Sequence, residues 1–162
     1  MNPDQPASSE AGGTGYPRDI PPLWLCVAFG AEVALHYGAP MARWLYPPWT
    51  LVGIAVNVLG LALMAGAAGL FRRLGTGVRP FTDATTLVAT GPFRFTRNPM
   101  YLGMVLMLVG GALALGTASP WLVPPAFGLL MDRRFIAAEE RFLTGRFGDS
   151  YREYCRRVRR WL

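Results

Sequence analysis

The chain has 162 residues, of which 52% are hydrophobic and only 16% charged. Polar surface is too scarce to clothe a water-soluble domain of this size, so composition excludes an ordinary soluble fold and implies a protein immersed in lipid. All 16 basic residues are arginine and the net charge is +6; beside apolar spans, that charge marks cytoplasmic loops and calls for no nucleic-acid partner.

In chain order, residues 1–21 come first. They are polar, rich in Gly, Pro and Ser, and lack a basic start or an apolar stretch, which predicts a disordered tail and not a cleavable secretory signal. Residues 22–162 read as one membrane domain. Apolar runs at 23–38, 49–71, 100–116 and 121–131 predict an all-α integral membrane protein with about four transmembrane helices, over 22–38, 49–71, 100–116 and 120–138. A helix needs about 20 residues to cross ~30 Å of hydrocarbon at ~1.5 Å per residue. The second run crosses easily, and the first and third cross with their flanks. The fourth run is too short, and Pro124 with Pro125 should bend it near its start. It is either re-entrant or continued through Asp132, Arg133 and Arg134 toward Ala138. Continuation is the favoured reading, and it requires those three charged groups to face a wet cavity or partners.

Within the spans, Gly53 and Gly60, then Gly103 and Gly110, recur at seven-residue spacing. Small residues in such a stripe let helices approach closely, so helix packing is expected there. Glu32 and His36 lie one turn apart in the first span, and a polar contact between helices is the reading preferred for them over a ligand role.

Arginine counts fix orientation. Arg72, Arg73, Arg79, Arg94 and Arg97 fall between spans two and three and nine more follow Met131, whereas only Arg43 lies between spans one and two. By the positive-inside bias both rich segments, and both termini, face the cytoplasm of an integral membrane protein, expected in a bacterial inner membrane.

Chemistry is expected at residues 87–103, LVATGPFRFTRNPMYLG, where a basic, aromatic, proline-stiffened loop enters an apolar helix. Arg94 and Arg97 supply fork-shaped donors, and Phe93, Phe95 and Tyr101 offer faces for a planar or cationic ligand. Arg94 and Arg97 as interfacial anchors, and Phe95 as an interfacial aromatic, are the competing readings. Beyond the fourth span, residues 139–162 predict cytoplasmic helices. After Gly145 and Gly148, Ser150 and Glu153 form a capping-box pair, and Tyr151, Tyr154, Val158 and Trp161 mark one face of a cationic amphipathic helix. That helix either lies on an anionic leaflet or folds over the bundle as a lid. Cys26 and Cys155 do not suit a disulfide, and one His with two distant Cys makes no metal site.

Together, Leu87-Val88, Gly91-Pro92-Phe93, Arg97-Asn98-Pro99-Met100-Tyr101-Leu102-Gly103, Glu139-Glu140 and Phe147-Gly148 with Tyr151 and Tyr154 resemble the isoprenylcysteine carboxyl methyltransferase and phospholipid methyltransferase superfamily, over roughly residues 50 to 162. The resemblance implies an integral membrane enzyme that uses S-adenosylmethionine, releases S-adenosylhomocysteine, and lacks the Rossmann fold of soluble methyltransferases. It implies cofactor contacts from Leu87, Val88, Gly91, Phe93, Arg97, Asn98, Pro99, Met100 and Tyr101, with an acidic contact from Glu139 or Glu140. It also implies an acceptor-binding role for Arg133, with Arg134 as neighbour. The prenylcysteine enzymes usually carry His where Asn98 stands and His near Thr85, so an imidazole role does not transfer, although Asn98 can still donate and accept hydrogen bonds. The acceptor is then lipophilic: a prenylcysteine-like carboxylate, a lipid amine or a hydrophobic small molecule. No nucleic-acid or metal partner is implied, and oligomeric state is not legible. Physically, a sulfonium suits aromatic faces such as Phe93 and Tyr101, its carboxylate suits Arg97, and ribose hydroxyls suit Glu139. The rival readings are a nonenzymatic transport or lipid-binding protein on the same scaffold, and a sterol-reductase-like NADPH enzyme.

Overall fold

In the computed structural model, the described residues are 20–43, 48–75 and 87–162. The expectations for the N-terminal tail, and for Arg79 and Thr85, fall outside them. Among the described residues the fold is helical: α1 Pro21–Gly38, α2 Trp49–Arg73, a 3-10 turn Gly91–Arg94, α3 Pro99–Leu115, a 3-10 turn Ser119–Leu122, α4 Val123–Met131, a π-helical turn Asp132–Ile136, and α5 Ala137–Arg157.

Proline sets where several of these begin. It stands in the first turn of α1, α3 and α4, where its missing N–H costs no hydrogen bond and its fixed φ already suits a helix. At the other end of α3, Gly116 adopts φ 71°, a left-handed cap that releases the chain. The 25 residues of α2 make it the one helix, among those described, long and apolar enough to cross a bilayer, and most of its surface faces outward. The shorter α3 is apolar over 17 residues and is the most enclosed element, wrapped by α2 on one side and by α1 and α4 on the other.

The contact between α2 and α3 is made by backbone. A Cβ on Gly53 would lie 2.6 Å from the Gly110 carbonyl oxygen, and one on Gly103 would lie 2.6 Å from the Gly60 carbonyl oxygen. The seven-residue stripes therefore serve packing, letting two apolar helices meet closely enough for dispersion to hold them where lipid removes any hydrophobic drive. Asn57 adds one hydrogen bond across the seam, its Nδ2 donating to the Met107 carbonyl at 2.9 Å.

On the opposite face of α3 lies the main core. Leu25, Ala28, Tyr101, Met104, Leu108, Val123, Phe127, Met131, Phe135 and Ile136 pack together there. At the end of the bundle remote from residues 87–98, the loops after α1 and α3 are laced together: Thr117 Oγ1 bonds His36 Nδ1 at 2.9 Å, Met41 N–H donates to Ser119 Oγ at 2.8 Å, and Ala118 N–H donates to the Ala42 carbonyl at 3.3 Å. His36 thus makes a polar contact, but with the turn after α3 and not with another helix. Glu32 departs from that expectation: it is fully buried, neither carboxylate oxygen has a hydrogen-bond partner, and it lies where a Cβ on Gly111 would come within 2.5 Å of its Oε2.

The helical path from α4 runs on through Asp132–Ile136 into α5 without a break at the charged residues. The rod bends later, at Gly148, whose φ of 51° and ψ of −121° are not helical. One expectation is corrected here. The helix stops at Arg157, Val158 is extended at φ −123° and ψ 131°, and residues 158–162 form a strap in place of the last helical turn. Nothing local in RRVRRWL halts a helix; tertiary hydrogen bonds from residues 96–98 take over the backbone instead.

Replacing Gly110 with Ala should force α2 and α3 apart and cost roughly 1–3 kcal/mol, as overpacking does. Gly66→Ala, where a Cβ meets nothing within 4 Å, is the matched control and should be neutral or slightly stabilising. Thermal melting of the two variants in detergent, side by side, checks the difference.

Candidate functional site

Residues 87–103 approach α5 and the strap at one end of the bundle, and there the polar groups gather. Asn98 precedes α3 with a non-helical backbone, buries its side chain, and donates from Nδ2 to the Arg160 carbonyl at 3.0 Å. Thr96 Oγ1 donates to the same carbonyl at 3.1 Å, and the Arg97 N–H donates to the Arg159 carbonyl at 2.9 Å. Three consecutive loop residues thus hold two consecutive strap residues.

The strap in turn aims the Arg160 guanidinium into a cluster of charge. Nε donates to Glu140 Oε1 at 3.1 Å and Nη2 closes on Glu140 Oε2, a bidentate pair, while Nη1 lies 3.3 Å from both Asp132 oxygens. The hydrogen bond to Glu140 is the chief cause holding the guanidinium above its ordinary pKa, so it remains a cation at every working pH. Trp161 Nε1 donates to Asp132 Oδ1 at 3.3 Å. From the loop side, Arg97 Nη1 sits 3.0 Å from Glu140 Oε1 and 2.7 Å from Cys155 Sγ, and its Nε is buried without a partner. Two arginines and two carboxylates therefore form one balanced network. Beside it opens a groove of about 400 Å³ lined by Ala137, Glu140, Arg141, Thr144 and Arg160.

Glu139 turns the other way, into the core. Tyr101, on the first turn of α3, donates its hydroxyl to Glu139 Oε1 at 3.1 Å, and its ring centroid lies 6.5 Å from that of Phe135. Burial pushes the Glu139 carboxyl up to about 7; the Tyr101 hydrogen bond opposes the rise and the charge of Glu140 adds to it. Tyr154 supplies another tie, its hydroxyl donating to the Phe93 carbonyl at 2.7 Å, and burial raises that hydroxyl to about 12, so it stays a donor.

The residues nominated from sequence fall into distinct places. Val88, Phe93 and Met100 join Ala67, Leu70 and Phe71 in a small apolar cluster, with the Phe93 ring edge-on to Phe71 at 5.1 Å. The Phe93 face is thus already packed, whereas Phe95 is 75% exposed, as an interfacial aromatic would be. Leu87 is half-buried beside Val88; Gly91 turns the chain at φ 58°, and Pro99 is buried at the start of α3. Arg97, Asn98 and Glu140 meet in the charged network, and Tyr101 and Glu139 form the buried pair. Arg133 and Arg134 lie exposed on the π-helical turn, Arg134 with its guanidinium carbon 5.8 Å from the Trp24 ring centroid.

Asp132, Cys155, Arg160 and Trp161 are not among those candidates. From sequence, Asp132 is only one of three charges needing partners, and Arg160 belongs to the exposed face of a helix. The pairing of an arginine-rich terminus with an acidic residue at the end of an apolar run is the only trace of this network in the sequence, and it is not specific.

Among the described residues these features define a helical bundle with one helix long and apolar enough to cross a membrane and with a polar site at one end, built by a loop and a tail. Residues 48–150 match the family model described as phospholipid methyltransferase. The chain belongs to that family of membrane methyltransferases. A 63-residue stretch is 44% identical to an uncharacterized protein of Haemophilus influenzae, covering 39% of this chain and 100% of that protein. A 75-residue stretch is 33% identical to the protein-S-isoprenylcysteine O-methyltransferase of Schizosaccharomyces pombe, covering 44% of this chain and 30% of that one. No solved structure matches the chain.

Because the folded-state pKa of Glu139 is raised, its contribution to stability is fully present below the unfolded value of 4.5 and is lost as pH rises through about 7. Detergent-solubilised protein should therefore melt lower at pH 8 than at pH 5, by up to roughly 3 kcal/mol from this group. In Glu139→Gln that component of the slope should vanish, as paired melting curves across this range would register.

Proposed function

We propose that this protein is an S-adenosylmethionine-dependent methyltransferase that binds its donor where residues 87–103 meet α5 and the strap, and that it methylates a lipophilic acceptor reaching the site from the bilayer. The single observation carrying this reading is that Tyr101 and Glu139, remote in sequence, share a hydrogen bond of 3.1 Å immediately beside the Arg97–Glu140 pair. The loop and the tail that the resemblance singled out are in contact, and beside that contact the tail carries a groove of about 400 Å³, within the ~300–1,000 Å³ usual for small-molecule sites.

The residues fit such a donor chemically. Glu140 offers a carboxylate to an ammonium or to ribose hydroxyls, Arg160 lines the same groove with a guanidinium, and Arg97 carries a buried, unpartnered Nε behind them. When bound, the donor supplies an electrophilic methyl group on sulfur. The chain's own work is then to align and to exclude water, because a methyl displacement needs no nucleophilic side chain. Tyr101 itself packs with Met104, Leu108, Phe127 and Phe135 in a dry core. The Tyr101–Glu139 bond keeps the tyrosine hydroxyl proton directed at Glu139 Oε1 and so holds the first turn of α3 against α5. Arg133 and Arg134 are exposed on the π-helical turn, and in this reading they orient an anionic group of the acceptor.

The topology that goes with this reading has four spans: α1, α2, α3, and the rod from Ser119 to about Ala138. Arginine distribution puts both termini and the polar site on the cytoplasmic side. The length of α2 and the family membership support the membrane assignment.

Detergent-solubilised protein titrated with S-adenosylhomocysteine should bind it saturably, and S-adenosylmethionine should compete. Silence at millimolar ligand would remove the proposal. Tyr101→Phe and Glu140→Gln should each lower methyl transfer from labelled donor to membrane lipid by about tenfold or more, the scale of losing a charge-assisted hydrogen bond.

A further inference from the structure

The groove beside Glu140 carries a more specific assignment, resting on the donor site proposed above. We infer that Glu140 and Arg160 together hold the zwitterionic amino-acid end of the methyl donor, Glu140 taking its ammonium and Arg160 its carboxylate, and that Asn98 is the positioning residue that sets Arg160 in place.

Three observations lead there. Both side chains line the same groove, and they are its acid and base in direct contact. Their side-chain exposures of 19% for Glu140 and 38% for Arg160 leave each reachable from solvent. Arg97, the arginine that sequence alone would choose for a carboxylate, is only 15% exposed and is engaged with Glu140 and Cys155. Arg141 also lines the groove and is exposed, but Arg160 is the groove's cation in direct contact with Glu140.

The pair can also open without leaving an orphaned charge. If Arg160 released Glu140, Arg160 would keep Asp132 at 3.3 Å and Glu140 would keep Arg97 at 3.0 Å. A zwitterion inserted between them would meet one opposite charge on each side and leave the balanced network neutral. A ligand end bearing only one of those charges would not, and unbalanced charge in a partly buried site is costly. The site therefore suits a ligand end bearing both an ammonium and a carboxylate better than an end bearing one of them, and the two new charge-assisted contacts are what would favour it over an uncharged end.

Arg160 stands on a strap tied to the end of α5 by the Val158 N–H on the Tyr154 carbonyl, and its own carbonyl is held from the loop. Asn98 Nδ2 and Thr96 Oγ1 both donate to its carbonyl. Asn98 thus acts on the donor through Arg160, a different task from that of an imidazole at the same place.

The test compares S-adenosylhomocysteine with methylthioadenosine, which has the same nucleoside thioether but lacks the amino acid, by calorimetric titration of the full-length chain in detergent. The unmodified protein should favour S-adenosylhomocysteine by at least about tenfold, the scale of one to two charge-assisted hydrogen bonds. Arg160→Met and Glu140→Gln should each reduce that preference to about threefold or less, chiefly by weakening the homocysteine ligand, and Arg160→Lys should retain part of it. Asn98→Ala should erode the preference while leaving methylthioadenosine binding unchanged, a split that general loosening of the fold would not produce. Equal affinity for the two ligands in the unmodified protein, or a preference untouched in Arg160→Met, would overturn the inference, and the first measurement needs no variant to fold. If neither ligand binds, the donor site itself fails, which is a separate outcome.

Discussion

Backbone contact between α2 and α3 is the constraint on which the rest of this molecule depends. In lipid, apolar side chains gain nothing by leaving one hydrocarbon surface for another, so two helices stay together only if they come close enough for dispersion and weak polar contacts to accumulate. Gly53 and Gly60 on one helix, and Gly103 and Gly110 on the other, remove every Cβ that would stand in the way. With that seam closed, the start of α3 is fixed relative to α2, and so are residues 87–98, which pack Val88 and Phe93 against Ala67. The opposite face of α3 is then free to collect α1, α4 and the π-helical turn.

The polar end of the bundle is organised by a different force. A lipid-facing protein can place charge at the membrane edge only if the charges are mutually satisfied or reach water. Asp132, Glu140, Arg97 and Arg160 meet that condition jointly, each carboxylate contacting at least one guanidinium. Because two of these groups come from the helical rod, one from the loop and one from the strap, the network fastens three separate pieces of chain. The π-helical turn at Asp132–Ile136 is part of the same arrangement. An extra residue in that turn rotates the helix beyond it, and the turn lies immediately before the segment that presents Glu139 to Tyr101 and Glu140 to the arginines. Glu32 is the exception to this economy, a buried carboxylate in the first span for which the structure shows no partner among the described residues.

Much of the architecture is legible from residue patterns. The apolar runs locate α1, α2 and α3 to within two residues at each end, since proline, glycine and arginine mark where an apolar helix begins and stops. The glycine stripes name their own partners, and both members of the Tyr101–Glu139 contact stand out in the sequence although only the fold joins them. The last five residues have the spacing of a helix and do not form one. The reason lies some sixty residues away, in the donors of Thr96, Arg97 and Asn98.

The amino-acid order alone therefore determined what depends on local periodicity and on transfer between water and lipid: a helical membrane protein, the positions of α1, α2 and α3, its charged end and the family to which it belongs. Which groups meet at that end was decided only by tertiary structure. Arg97 and Arg160 carry identical side chains, and no local pattern separates the one held behind Glu140 from the one that faces the groove. Their difference is set by burial and by which backbone carbonyls are already taken, and those quantities exist only once the chain has closed on itself.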